Sequence, residues 1–186
     1  MSTPTLYYAL LGANSGARLS TIKRAIKTLP LADKTLAIQA VSCAWEGQDG
    51  HLPYAPYINV GLAFTSSLEP EAMQLLAKRI ERELGRERDD SRNAPIALDI
   101  DILLLEGATG IQELTRKNLL VPYCAVPLYE VASPRLGTWL MHLVRERESN
   151  WEALRSRLWL VAEPEDLCVD AGHRQHSAAV PRAATG

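Results

Sequence analysis

At 186 residues and 47% apolar composition, the chain has the length and hydrophobic content of one domain with a proper core and a short tail. Its net charge of −2 argues against a general nucleic-acid binder. No apolar run approaches a membrane span, and Met1-Ser2-Thr3-Pro4 lacks the basic start and apolar core of a signal peptide. The cysteines Cys43, Cys124 and Cys168 are widely spaced and odd in number, and His173 and His176 fall in a weakly patterned C-terminus. This usage offers neither a zinc pattern nor a disulfide framework, and it predicts a cytoplasmic protein.

In chain order, Leu6 to Leu11 reads as a short strand that turns at Gly12-Ala13-Asn14-Ser15-Gly16 into a helix. A glycine-bearing strand–helix turn can present backbone N–H groups to an anion, although such turns are common and no Gly-Lys-Ser/Thr follows. Leu19, Ile22, Ala25, Ile26 and Leu29 form one helical stripe, and Pro30 is expected to end it. Lys34 to Ala44 reads as a second strand. Trp45 to Pro56, with Gly47, Gly50, Pro53 and Pro56, reads as a loop long enough to be functional. Tyr57 to Phe64 resumes as a strand with Tyr57, Asn59 and Gly61 on one face, where Asn59 can satisfy a backbone neighbour or read a ligand edge.

Ser67, Pro70 and Glu71 open the next helix, which reaches about Leu84 with Met73, Leu76, Ile80 and Leu84 inward; Gly85 stops it. The polar stretch from Arg86 to Asn93 leads into Pro95 to Leu105, whose alternation predicts a strand. On it, Asp99 and Asp101 share one face, about 6–7 Å apart along the chain. Leu98, Ile100, Ile102 and Leu104 take the other. Two hard cations about 3.5–4 Å apart could be held there and would bridge phosphate oxygens. A solvated acidic face is the competing reading; the flanking hydrophobics and the upstream Arg86, Arg88 and Arg92 favour a cation site.

Further on, Leu119 to Pro122 is a short apolar segment. Pro127 to Val131 and Thr138 to Arg147 read as helices, and Trp151 to Leu160 as a helix or a helix–strand corner. From Glu163 the composition loses its pattern. The expected division is a domain over 1–162 and a tail over 163–186, with 170–186 disordered. The order β-α-β-β-α-β predicts an α+β, ferredoxin-like α/β/α sandwich on a mainly antiparallel sheet, with the aspartates on the fourth strand.

Five motifs, in order and spacing, resemble the 6-hydroxymethyl-7,8-dihydropterin pyrophosphokinase family. They are Leu-Leu-Gly-Ala-Asn-Ser-Gly (10–16), Tyr-Ile-Asn (57–59), Glu-Leu-Gly-Arg-Glu-Arg (83–88), Ala-Leu-Asp-Ile-Asp-Ile-Leu-Leu (97–104) and Pro-Leu-Tyr-Glu-Val-Ala (127–132). The resemblance covers about residues 5 to 150. It implies an enzyme of folate synthesis that transfers diphosphate from ATP to the pterin hydroxymethyl group and releases AMP. It implies that Asp99 and Asp101 hold two magnesium ions and act as the catalytic pair. Glu81, Arg86, Arg88, Arg92 and Ile102 would lie at the nucleotide, and Tyr57, Asn59 and Tyr123 at the pterin. The loop 45–56 would be a mobile lid that excludes water during transfer.

The chain departs from the family pattern in two places. Arg-Trp-Gly-Pro-Arg becomes Arg92-Asn93-Ala94-Pro95-Ile96, and the histidine and later arginine after Val-Pro are absent from the shortened segment following Val121-Pro122. An arginine on transferring phosphate can be worth about 10³–10⁵ in rate. Arg92, Arg116 and Lys117 are the candidate replacements. A diphosphokinase for a different pterin and a non-catalytic pterin-binding relative are the alternative readings.

Overall fold

The computed structural model describes residues 4–47, 55–86, 95–147 and 150–167. Its centre is a seven-stranded sheet, every pairing of which is antiparallel. β1 (Thr5–Ala13) lies in the middle, between β4 (Ile58–Ser66) and β5 (Asp99–Gly107). Both faces of β1 and β4 are covered, so these strands read as continuous apolar runs rather than alternating ones. On one face, α1 (Arg18–Ala32) and α2 (Pro70–Glu83) bury Ile22, Leu29, Met73 and Ile80 against Leu11, Val60, Phe64 and Ile100. On the other, α3 (Pro122–Glu130) and α4 (Pro134–Glu146) bury Leu128, Leu136 and Leu140 against Tyr8, Leu10 and Leu104. The result is the expected α+β sandwich of helix, sheet and helix layers.

Several boundaries differ from the sequence pattern, each for a local reason. The second strand is broken into β2 (Ala37–Val41) and β3 (Ala44–Gly47), both paired with β4. At the break, the buried Ser42 hydroxyl accepts the Gly61 N–H at 2.8 Å and donates to the Cys43 carbonyl at 2.6 Å, replacing ladder bonds. The aspartate strand is therefore fifth in chain order. Trp45 to Gly47 belong to β3 rather than to a loop, and the Trp45 ring is buried. Of the rest of the expected lid over 45–56, residues 48–54 lie outside the described residues and 55–56 lead into β4.

Helix α1 runs through Pro30 to Ala32: the proline removes one N–H from the last turn of the ladder, and the Asp33 N–H still closes the helix on the Leu29 carbonyl. The N-cap of α2 is Glu69, not Ser67. α3 begins at Pro122, five residues before Pro127, with proline at a position whose N–H has no helical partner. α4 begins at Pro134, capped by the Ser133 hydroxyl, which accepts the Leu136 N–H at 3.0 Å.

A register shift between Tyr8 and Ala9, opposite Ile102 to Leu104, alters the alternation of β5. Leu98, Ile100 and Ile102 pack toward α1 and α2 as expected, whereas Leu103 and Leu104 both join the α3/α4 side.

After β5 come the hairpin partner β6 (Gly110–Glu113), the short α5 (Trp151–Arg155) and the edge strand β7 (Leu158–Ala162) paired with β3. The expected tail from 163 opens instead with α6 (Pro164–Leu167), whose Leu167 is fully buried in the larger core. Residues 168–186 lie outside the described residues.

Candidate active site

β5 enters the sheet from a segment held by Asn14. The Asn14 N–H donates to the Ile96 carbonyl at 2.9 Å, and its side-chain oxygen accepts the Ile96 N–H at 2.6 Å. The glycine turn's buried asparagine thus anchors the aspartate strand. Across β1, Asp99 stands opposite Gly12 and Asp101 opposite Leu10, and on the far side of β1 Gly12 faces Asn59 of β4.

Above this patch lies a cleft of about 220 Å³, with Leu10 and Gly12 as its floor. Asp99 and Asp101 form one wall, Tyr57 and Asn59 the other, and Lys117 and Tyr123 complete it. A Cβ at Gly12 would lie 3.3 Å from both the Asn59 Oδ1 and a Tyr57 ring carbon. Glycine therefore keeps room beneath these two side chains. Asn59 is buried, and its amide donates to the Tyr57 carbonyl at 3.4 Å.

A second cleft, about 460 Å³, lies between α2 and the outer side of β5, with Gln74 and Lys78 on one side and Asp101, Ile102 and Thr115 on the other. Asp101 lines both clefts.

The charges are tightly organised. Glu81 is only 1% exposed. One of its oxygens accepts the Ile100 N–H at 2.8 Å and Lys78 Nζ at 2.7 Å, and the other accepts Arg86 Nη1 at 2.7 Å. This carboxylate ties α2 to β5 midway between the two aspartates and aims Arg86 at Asp99, with which the guanidinium also pairs. Lys117 Nζ hydrogen-bonds Asp101 and lies 3.6 Å from Asp99 Oδ2.

Burial works to raise the Asp99 pKa, but Lys117, Arg86 and Lys78 together outweigh it and hold the carboxyl below its ordinary range. Asp101 goes the other way: burial and the Asp99 charge raise it despite Lys117. Two half-buried carboxylates that resist carrying both charges, open to solvent on one side, are a fitting donor set for a hard cation. Among the described residues no group of three or more His, Cys, Asp or Glu gathers. A cation here would complete its shell with water or phosphate oxygens, as magnesium does.

The family model described as 7,8-dihydro-6-hydroxymethylpterin-pyrophosphokinase (HPPK) matches residues 8–133, a span that includes both aspartates, Gly12, Asn59 and Tyr123. The chain belongs to the HPPK family. It is 34% identical over 118 residues to the 2-amino-4-hydroxy-6-hydroxymethyldihydropteridine pyrophosphokinase of Aquifex aeolicus (strain VF5), covering 62% of this chain and 68% of that protein. The Bacillus subtilis (strain 168) protein of the same name is 30% identical over 117 residues, 62% of this chain and 66% of the relative. A folate synthesis bifunctional protein of Arabidopsis thaliana is 29% identical over 114 residues, 61% of this chain. The match spans only 22% of that longer relative.

The HPPK-like positions expected from the sequence differ in where the structure places them. Asp99, Asp101, Tyr57, Asn59 and Tyr123 come together in the smaller cleft, and Ile102 lines the larger one. Arg86 and Glu81 stand behind the aspartates as their support. Arg88 and Arg92 lie outside the described residues. Ile96, where the family has arginine, is tied to Asn14 and brings no charge. Of the candidate replacements, Lys117 reaches the carboxylates. Two positions escape sequence reasoning: Gly12, visible only as a turn glycine, and Lys78, whose i,i+3 spacing to Glu81 on α2 was a usable signal.

Proposed function

We propose that the chain is an ATP-dependent diphosphokinase that transfers diphosphate to the hydroxymethyl group of 6-hydroxymethyl-7,8-dihydropterin and releases AMP. The observation that carries this reading is the shared wall. Asp101 borders both a small slot floored by glycine and a larger cleft beside α2, an arrangement suited to two substrates meeting at one carboxylate pair. The Aquifex and Bacillus relatives are named for the same pterin and the same transfer.

In this reading Asn59 reads the edge of the pterin with its paired donor and acceptor, while Tyr57 and Tyr123 lie against the ring. Asp99 and Asp101 are the residues that would hold magnesium, which would supply positive charge to neutralise the triphosphate. Glu81 fixes Arg86, so that the cation behind Asp99 is preorganised rather than mobile. The pterin oxygen forms its bond to the β-phosphorus as the bond to the bridging oxygen breaks, and that oxygen leaves with AMP. The hydroxymethyl proton passes to solvent. No protein nucleophile is needed; the side chains supply alignment, worth up to about 7–11 kcal/mol in well-oriented cases.

Calorimetric titration with a non-hydrolysable ATP analogue, with and without magnesium and 6-hydroxymethylpterin, tests the reading. Magnesium-dependent nucleotide binding that strengthens with pterin is expected. Pterin binding with no nucleotide binding would instead mark a binding protein on this scaffold.

A further inference from the structure

We propose that Lys117 is a tethered counter-cation: it pairs with Asp99 and Asp101 before nucleotide arrives, competes there with the divalent ion, and passes to the phosphates when nucleotide binds. This rests on the diphosphokinase reading and adds to it a positioning residue and an order of loading.

Lys117 Nζ bonds Asp101 and stands 3.6 Å from Asp99, so one ammonium serves both carboxylates. Its side chain is half-exposed, on an irregular segment between β6 and α3. The backbone there is anchored, since the Lys117 N–H donates to the Thr115 hydroxyl at 3.1 Å and Leu119 and Leu120 are buried. The aminoalkyl stem can therefore swing while the chain stays put. Thr115 itself borders the larger cleft, and Lys117 borders the smaller. The swing needed is from one side of Asp101 to the other.

Asp99, Asp101 and Glu81 are matched by Arg86, Lys78 and Lys117. A divalent ion approaching this neutral cluster must displace an ammonium already in contact with both ligands. Glu81 cannot help, because its oxygens are committed to Lys78, Arg86 and the Ile100 N–H. A triphosphate changes the balance: it brings several negative charges, offers the displaced ammonium new partners, and lets the metal take the carboxylates. The site accordingly takes metal poorly alone and well together with nucleotide. Lysine suits this role better than arginine would, because its point charge on a flexible stem is not held by fork geometry.

The test is manganese binding, read by the electron paramagnetic resonance of the free ion, for wild type, Lys117→Gln and Lys117→Arg, with and without a non-hydrolysable ATP analogue. Lys117→Gln is expected to bind manganese alone about tenfold more tightly, because the competing charge is gone, and to bind the nucleotide about tenfold more weakly at saturating manganese. Lys117→Arg keeps the competing charge and should bind manganese alone no more tightly than wild type. This opposite-signed pair of changes is not what a merely structural lysine would produce. If Lys117→Gln binds manganese alone no better than wild type, while wild type still binds manganese with nucleotide, the proposal is overturned and the diphosphokinase reading stands. If neither protein takes up manganese with nucleotide present, both fail.

Discussion

A methyl group at Gly12 would lie 3.3 Å from the Asn59 side-chain oxygen and from the Tyr57 ring, close but short of a hard overlap. Gly12→Ala should therefore weaken pterin binding roughly tenfold or more, the scale at which one misplaced carbon matters in a fitted pocket. The thermal midpoint should stay within a few degrees of wild type, and titration beside a melting curve checks both. A large loss of stability with pterin affinity preserved would show that the glycine serves packing instead. The site at this scale was partly legible. Asp99, Asp101 and Asn59 stand out because polar residues interrupt apolar strands, and Tyr57 through the resemblance to the family. Gly12 does not, because its meaning comes from two side chains that it meets only across the sheet, Tyr57 just before β4 and Asn59 on it.

Gly61 shows what the elements demand of each other. A Cβ there would come within 2.4 Å of the Pro127 carbonyl oxygen, which is backbone and cannot turn aside. Glycine is what allows α3 to sit on β4 and carry Tyr123 to the cleft. Gly61→Ala should cost about 1–3 kcal/mol or more through forced displacement of α3. Urea unfolding measures this, and a wild-type midpoint would refute the contact.

The far end of α3 supplies a pH test. Burial raises Glu130 above its ordinary value, although the Trp45 indole and the Cys43 N–H donate to it at 3.1 and 2.9 Å. An acid raised in the fold favours the folded state while protonated. That advantage is lost as pH climbs from the unfolded value, about 4.3, through the folded one. The stability of wild type relative to Glu130→Gln should therefore fall from pH 4 to pH 8, and an opposite slope in paired urea titrations would contradict the assignment. Helix starts were the least legible feature of the elements. α3 and α4 open on prolines, Pro122 and Pro134, whose local preference suits a turn as well as a first helical residue. The strand alternation from Leu98 to Ile102 was readable. It failed at Leu104 because the bulge depends on the register with β1, which no local pattern encodes.

Across the whole molecule, the layered sandwich and the placing of α1 and α2 between strands followed from hydrophobic periodicity, whereas the split of the second strand and the two outer strands did not. β7 is short, half-exposed and joined to β3 over more than a hundred residues of sequence, so nothing near it in the chain announces the pairing. The same distance hides the domain's far boundary. We place that boundary beyond 162, because Leu167 is buried beside the α1/α2 core. Leu167→Ala should cost about 2–5 kcal/mol, as for other fully buried leucines. Chemical denaturation would detect it, and an unchanged protein would return 163–167 to the tail.

The central claim is that two substrates meet at Asp99 and Asp101. The direct test is a turnover assay with ATP, magnesium and 6-hydroxymethyl-7,8-dihydropterin, following AMP and the pterin diphosphate for wild type and Asp101→Asn. Wild type should form the two products in equal amounts, and the variant should lose about 10³-fold or more in rate, on the scale of removing a group essential to phosphoryl-transfer electrostatics. The variant should keep its folded circular dichroism spectrum. Undiminished turnover by Asp101→Asn, or wild type that binds pterin yet forms no AMP, would contradict it.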